Sequence, residues 1–235
     1  MKKNASRDGI SNRILLRLTP KDFGLLGPDL SPVELPLRKP LEAPNTPIEH
    51  VYFIESGFAS VVADGRGDSI EVGLVGREGM TGLAVVMGAT SSPNATFIQC
   101  EGRGLRMLAT ALTHATERSP TLQRVVLQYA HTFAVQAAHT ALANGRSNLR
   151  ERLARWLLMA HDRIDGNKIV LTHEFLAIML GVRRAGVTVA LKTLEESRLT
   201  RAEHGCVYVL DRKGLEKAAR KAYGVPEAEF RRLFD

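Results

Sequence analysis

The sequence has few of the features that metal enzymes, membrane proteins and secreted proteins depend on. It contains only two cysteines in 235 residues, Cys100 and Cys206, and they are far apart without metal-ligand spacing. Two thiols cannot supply the four thiolates of an ordinary iron–sulfur cluster, and we interpret them as buried free thiols in a reducing compartment. No run of about 20 apolar residues is present, and MKKNASRDGISN at the start is not followed by a signal-peptide core. We therefore expect a cytoplasmic protein with no membrane partner.

Catalytic motifs are also missing. The seven histidines are scattered singly, and the chain has no HExxH, no GxSxG and no P-loop. His131 and His139 lie eight residues apart on a predicted helix and could share a metal or a haem, although solvated or partly packed histidines are the commoner outcome. We predict that the protein is not an enzyme and that it has no metal site.

The positive charge is concentrated in the last part of the chain. Residues 1–145 carry 14 Lys and Arg against 13 Asp and Glu, whereas residues 146–235 carry 18 against 12. The excess is therefore +1 in the first part and +6 in the second. A basic excess on one segment is the electrostatic pattern expected of a module that binds phosphates.

The same basic segment contains the pattern of a helix, a glycine turn and a second helix. Thr172 is a suitable N-cap, and the first helix has apolar residues at three- and four-residue steps before Gly181 ends it. The second helix starts near Arg184, and its inward stripe is Val187, Ala190, Leu191 and Leu194. Arg184, Thr188 and Lys192 then share an outer face, with Arg183 just before them. This arrangement predicts a recognition helix for the DNA major groove, with an ordinary helical hairpin as the alternative.

A strand, a turn and a second strand follow the second helix. They cover Leu199–Arg201 and Cys206–Leu210, with Gly205 in the turn. We predict that they form the wing of a winged helix and that Arg201 and His204 contact DNA from it. Asp211 is predicted to cap a final helix.

Short strands dominate the part before residue 118. The runs Val51–Ile54, Phe58–Ala63 and Ser69–Val75 are rich in β-branched and aromatic residues, and a further pair covers Thr96–Cys100 and Gly104–Leu108. Many short strands separated by glycine turns predict a small barrel or jelly roll.

A long helix is predicted from about Ser119 to Asn144, with Gly145 as a hinge before the next helix. Along it runs a heptad seam, which we predict to be the dimerisation surface: Leu122, Val126, Tyr129, Phe133, Gln136 and Thr140. The seam could instead pack on its own domain.

The chain resembles the Crp/Fnr superfamily of bacterial transcription regulators over nearly its whole length. The similarity includes VYFIESG at Val51–Gly57, EGMTG at Glu78–Gly82, RLARWLL at Arg152–Leu158 and LGVRR at Leu180–Arg184. It implies an α+β fold with a cyclic-nucleotide-binding-like β-roll or jelly-roll sensor domain at residues 1–118. A dimerisation helix would follow at residues 119–145 and a winged helix-turn-helix at residues 146–235. It further implies a homodimer that binds a palindromic operator and contacts RNA polymerase.

The departures from the family pattern concern the effector and the operator. Members that bind cyclic AMP use a Gly-Glu pair and, later, an Arg-Ser pair, where this chain has Gly82-Leu83 and Pro93-Asn94. We expect a degenerate pocket, no dependence on cyclic AMP and no cofactor. Ala185 and Val189 replace polar residues of the family's recognition helix, which implies a different half-site. The alternative is a ligand-sensing module whose helix-turn-helix binds a protein partner.

Overall fold

The structure, a computed structural model, describes residues 7–65 and 69–235. They form two compact units. The first comprises the chain up to Val61 together with Val75–Ala134 and Phe230–Asp235, and the second comprises Val62–Leu74 and Val135–Glu229. The predicted division at residues 118 and 145 followed chain order, whereas the units divide one long helix between Ala134 and Val135.

Within the described residues up to 118, the chain forms seven strands and four short helices. The strands are β1 (Ser31–Leu35), β2 (Pro40–Glu42), β3 (His50–Ile54), β4 (Phe58–Asp64), β5 (Ser69–Val75), β6 (Ala95–Cys100) and β7 (Gly102–Leu108). The helices are α1 (Arg13–Arg17), α2 (Pro20–Leu26), α3 (Leu83–Val86) and α4 (Ala109–Arg118). The sequence patterns did not predict β1, β2, α3 or α4.

The described strands of this part form two sheets, in which β1 with β7, β3 with β7, and β2 with β6 pair antiparallel. One has the order β1, β7, β3, and the other has the order β2, β6, β4, β5. Strand β1 contains Pro32 and pairs only with β7, at the edge of its sheet. An edge strand tolerates proline because one side of its backbone has no ladder partner, which explains how a proline-rich segment still contributes strands.

The remainder of the chain is mostly helical. It comprises α5 (Pro120–Arg146), α6 (Leu149–His161), β8 (Lys168–Val170), α7 (His173–Leu180), α8 (Arg184–Glu196), β9 (Thr200–Glu203), β10 (Cys206–Val209), α9 (Arg212–Ala219), a 3₁₀ turn (Arg220–Ala222) and α10 (Val225–Phe234). The α+β fold with an N-terminal sheet domain, a long helix and a C-terminal helix-turn-helix is confirmed.

The predicted hinge at Gly145 is wrong. Helix α5 continues through Gly145 to Arg146, and the break falls at Ser147 and Asn148. The Asn148 side chain accepts a hydrogen bond from the backbone N–H of Glu151, and the Glu151 carboxylate accepts one from the Asn148 N–H. This capping box starts α6 and therefore determines where the chain changes direction.

The core of the first unit depends on one close approach to a glycine. A Cβ at Gly79 would lie 1.9 Å from the Tyr129 hydroxyl oxygen, so only glycine fits beneath that ring. Tyr129, Leu122 and Val126 of α5 pack there with Ile14, Leu26, Phe53 and Met80. Phe230 and Phe234 of α10 join this cluster, and Arg13 lies 4.7 Å from the Phe230 ring. The last residues of the chain therefore complete the first unit.

Candidate nucleic-acid interface

The helix-turn-helix has the geometry predicted from its sequence. The Thr172 hydroxyl oxygen accepts a hydrogen bond from the backbone N–H of Phe175 at 3.2 Å and caps α7. Gly181 has φ 58° and ψ 45°, the left-handed conformation needed for the tight turn. The backbone N–H of Val182 then donates to the Ala177 carbonyl at 2.9 Å, so the turn is fixed by its own backbone.

Helix α8 separates a buried stripe from an exposed face. Val187, Ala190, Leu191 and Leu194 are buried, with exposed fractions between 0% and 6%. The exposed face carries the predicted polar residues together with two apolar ones: Arg184, Ala185, Thr188, Val189 and Lys192. Arg183 precedes the helix as its exposed N-cap residue. The structure thus brings Arg183, Arg184, Thr188 and Lys192 onto one element.

Thr188 is held by hydrogen bonds inside the helix-turn-helix. Its hydroxyl donates to the Arg184 carbonyl at 3.2 Å, and its oxygen lies 3.1 Å from Nδ1 of His173 on α7. With the hydroxyl proton directed to the carbonyl, His173 is the donor in the second bond. The hydroxyl of Thr188 therefore links α8 to α7, and donation by this group to a base would require breaking its bond to the Arg184 carbonyl.

The wing is a three-stranded sheet in the order β8, β10, β9. Its tip is a two-residue turn in which His204 and Gly205 both have positive φ, 25° and 78°, as a type I′ turn requires. His204 is exposed there. Arg201 pairs with Glu203 at 2.7 Å and lies 4.9 Å from the Tyr208 ring centre. The charge of Arg201 is thus partly offset within the wing.

Two arginines of α6 donate hydrogen bonds to neighbouring helices, one of them to the helix-turn-helix. Nη2 of Arg152 donates to the Leu180 carbonyl, immediately before the glycine turn. Arg155 is only 6% exposed and donates to the Thr140 hydroxyl at 3.1 Å. Burial lowers the pKa of Arg155, an effect that Arg163 reinforces and the charges of Glu227 and Glu71 oppose. Arg155 is therefore held inside the second unit, against Gln136 and Thr140 of α5.

The predicted dimerisation seam is used within the chain itself. Leu122, Val126 and Tyr129 are at most 2% exposed in the core of the first unit, and Phe133 packs on a second apolar cluster there. In the second unit, the Gln136 side chain bonds both backbone groups of Leu74, and Thr140 accepts from Arg155. The seam therefore corresponds to the alternative noted in the sequence, packing on its own chain.

The exposed face of α5 lies elsewhere and has its own heptad spacing. Leu127, His131, Ala134, Ala138 and Ala141 are all exposed and follow alternating steps of four and three. Leu127 is 42% exposed. This face was missed because alanine contributes little to an apolar pattern, so the larger side chains of the buried face dominated the periodicity.

The four positions of the expected effector pocket show no cationic side chain. Gly82 has φ 79° at the start of α3, and its backbone N–H donates to the Glu42 carboxylate at 2.7 Å. Leu83 packs against the core, Pro93 is exposed, and the backbone N–H of Asn94 donates to the Ser92 hydroxyl. Burial raises the pKa of Glu42, and hydrogen bonds from Gly82, Thr96 and Thr81 partly offset the increase.

The two histidines considered for metal binding differ in their exposure. His131 is exposed and His139 half-buried, and no group of three or more His, Cys, Asp or Glu among the described residues could hold a metal ion. Cys100 and Cys206 are free thiols, half-buried rather than buried as expected. Within residues 7–65 and 69–235, no helix combines the length and apolarity needed to cross a bilayer.

Comparison with known proteins identifies the fold. The structure of FixK2 from Bradyrhizobium japonicum has 17% sequence identity and a TM-score of 0.69, over 83% of this chain and 99% of that one. A transcriptional regulator of the CRP/FNR family from Thermus thermophilus has 19% identity and a TM-score of 0.66, over 82% and 100%. The c-di-GMP-responsive global regulator CLP from Xanthomonas campestris has 15% identity and a TM-score of 0.65, over 81% and 99%. No curated protein sequence gave a significant match.

A double-sheet domain, a long helix and a winged helix-turn-helix in this order define the fold of the Crp/Fnr transcription regulators. Residues 151–218 match the sequence profile of the Crp-like helix-turn-helix domain. The resemblance inferred from short motifs is confirmed.

Proposed function

We propose that the protein is a sequence-specific DNA-binding transcription regulator that acts as a homodimer on a palindromic operator. The observation that carries this proposal is the exposed face of α8, where Arg184, Thr188 and Lys192 stand above a fully buried apolar stripe. A helix with this division fits the major groove because long donors reach base edges and phosphates while the stripe fixes the helix to its domain.

The contacts divide into base readout and phosphate positioning. Arg184 is assigned to base readout, since its guanidinium can donate two hydrogen bonds to a guanine edge. Arg183, Lys192 and His204 are assigned to the phosphates, together with the N-terminus of α7 at Thr172. Arg201 has a smaller share because Glu203 lies 2.7 Å from it.

The dimer is assigned to the exposed face of α5 rather than to the buried seam. Leu127, His131, Ala134, Ala138 and Ala141 can meet the same residues of a second chain across a two-fold axis. Small side chains at three of the five positions allow two helices to approach closely. Two recognition helices would then reach half-sites about one turn of DNA apart.

The proposed regulator does not depend on cyclic AMP. The Glu42 carboxylate accepts from the Gly82 N–H, which places a potential negative charge beside the segment where the family binds nucleotide. The side chains of Leu83 and Pro93 cannot donate hydrogen bonds in place of those of the missing charged residues. We propose that any signal is of another chemical kind, that RNA polymerase is the partner in transcription, and that the protein acts in the cytoplasm.

Selection of bound duplexes from a random library tests the function directly. The proposal expects a palindromic consensus, and the affinity for that site should fall steeply and log-linearly with salt because phosphate neutralisation releases counterions. A library that gives no consensus, together with a shallow salt dependence, would favour the alternative in which the helix-turn-helix binds a protein.

A further inference from the structure

The face of α8 that points away from its domain carries two apolar side chains, Ala185 and Val189. Residues of an α-helix are separated by about 100°, so the buried residues of α8 define the direction that faces away from the domain. Taking Arg184 as the origin, Val187, Ala190, Leu191 and Leu194 fall between about 240° and 340°, and the opposite direction is about 110°. Ala185 lies at about 100°, with Val189 at about 140° and Lys192 at about 80° on either side of it, whereas Arg184 and Thr188 lie at about 0° and 40°, on one flank.

The exposed fractions of the side chains agree with these angles. Val189 is 67% exposed and Ala185 is also exposed, one turn earlier on the same face. Thr188 leans towards α7 and is bonded to His173, as a flanking position would be. The side chain directed most nearly outward from α8 is therefore Ala185, with Val189 and Lys192 each about 30° from that direction.

We infer that Val189, with Ala185 beside it, reads the C5-methyl group of thymine in each half-site. This inference rests on the proposed function and specifies what the DNA site contains. In the major groove the thymine methyl is the one apolar group of a base edge, while guanine, adenine and cytosine present donors and acceptors. A valine facing those groups would remove them from water without replacing their hydrogen bonds, so it disfavours them.

The resulting code differs across the helix. Arg184 on the flank reads a guanine through charge-assisted hydrogen bonds, and the Ala185–Val189 pair reads methyl groups on neighbouring base pairs. A single valine exposed on a protein surface is ordinary. Two apolar side chains at the outward centre of the helix proposed to enter the groove are suited to thymine contact.

Replacing thymine by uracil in the selected duplex removes only the methyl group and tests the inference. At the thymine that faces Val189, uracil should weaken binding by the parent about fourfold, the value of one buried methyl group. The Val189→Ala variant should bind the thymine and uracil duplexes with similar affinity. Val189→Thr keeps one methyl group in nearly the same shape, so its loss of discrimination should be partial.

Val225→Ala is the matched control, because it removes the same two methyl groups from a valine that is 50% exposed at the start of α10. It should discriminate thymine from uracil as the parent does. If the parent binds its selected site specifically but is insensitive to uracil at every thymine, the inference is overturned while the proposed function stands. Discrimination that survives in Val189→Ala would also overturn it. Absence of any consensus would instead remove the proposed function.

Discussion

At the scale of single residues, the residues predicted to contact DNA differ in whether their side chains already form hydrogen bonds or ion pairs within the chain. The Thr188 hydroxyl is bonded to Arg184 and His173, and the Arg201 guanidinium is paired with Glu203. Arg184 is an exposed residue at the start of α8, next to Arg183. Spacing along α8 predicted that Arg184 and Thr188 share a face, but only side-chain packing shows which polar groups already have partners within the chain.

Arg184→Ala should relax sequence preference while leaving the fold intact, since the side chain is exposed. The loss of one bidentate base contact should reduce discrimination at a single position of the half-site by about 1 to 3 kcal/mol. Arg201→Ala should have a smaller effect, because Glu203 already offsets its charge. Binding to duplexes that vary at each position measures both effects. Arg118→Ala on α4 controls for the loss of one exposed arginine, and unchanged preference in Arg184→Ala would contradict the assignment.

Glu42 gives a prediction for pH. Burial raises its pKa above the ordinary value, so the folded protein binds this proton more tightly than the unfolded chain does. The contribution to stability is therefore present below the unfolded pKa of about 4.5 and is lost as pH rises through the folded pKa. Glu42→Gln keeps an acceptor for the Gly82 N–H and removes the titration. Chemical denaturation from pH 4 upward should show the variant gaining stability relative to the parent, and parallel curves would argue against this role.

At the scale of secondary-structure elements, α5 has two faces with the same spacing and different occupants. The face with the large side chains packs inside the chain, and the face with Leu127, His131 and three alanines is exposed. A heptad repeat predicts that one side of a helix is buried, but it does not identify the element that packs against that side. The covered face is the one whose side chains fill the core around Gly79.

Leu127→Glu should convert the proposed dimer to a monomer without unfolding it. Two carboxylates would meet near the two-fold axis, while the leucine they replace is 42% exposed within the single chain. Light scattering gives the mass, and loss of palindromic binding should accompany dissociation. Leu16→Glu on α1, where the leucine is 46% exposed, controls for the same substitution away from α5.

Tyr129→Glu separates the two faces of α5. Tyr129 is 2% exposed in the core of the first unit, and a carboxylate there would cost several kcal/mol of stability. This variant should unfold at lower denaturant concentration than the parent, whereas Leu127→Glu should not. If Tyr129→Glu were a well-folded monomer, the buried face would have to be the dimer interface after all.

At the scale of the whole molecule, the boundary of the basic segment does not coincide with the boundaries of the two compact units. The basic excess belongs to residues 146–235, but the compact units exchange segments, since Val62–Leu74 joins the second and Phe230–Asp235 the first. Within the second unit, the side chains of Gln136 and Arg163 bond to backbone groups of Leu74. Trp156 donates to the carboxylate of Glu71 in the same Val62–Leu74 segment. The unit that contains the helix-turn-helix therefore includes a segment of the sheet-forming part of the chain.

The intact protein should bind cyclic AMP and cyclic GMP weakly. Two charged contacts of roughly 1.5 to 3 kcal/mol each are missing at Leu83 and Pro93, which weakens binding by about two to four powers of ten. Calorimetric titration with each nucleotide, followed by DNA binding in its presence, measures this. Micromolar binding that also raises affinity for the operator would contradict the prediction.

The sequence by itself determined the local features of this protein. The N-cap at Thr172, the left-handed turn at Gly181 and the buried stripe of α8 all depend on neighbouring residues, so periodicity and turn chemistry were sufficient. The strand runs from Val51 to Val75 and the length of α5 were also predictable, as was the family resemblance. The tertiary structure alone decided which face of α5 is covered, that Arg155 is buried, and that Phe230 and Phe234 of α10 complete the first core. These outcomes depend on contacts between residues far apart in the chain, where several partners could satisfy the same apolar pattern and only packing selects one of them.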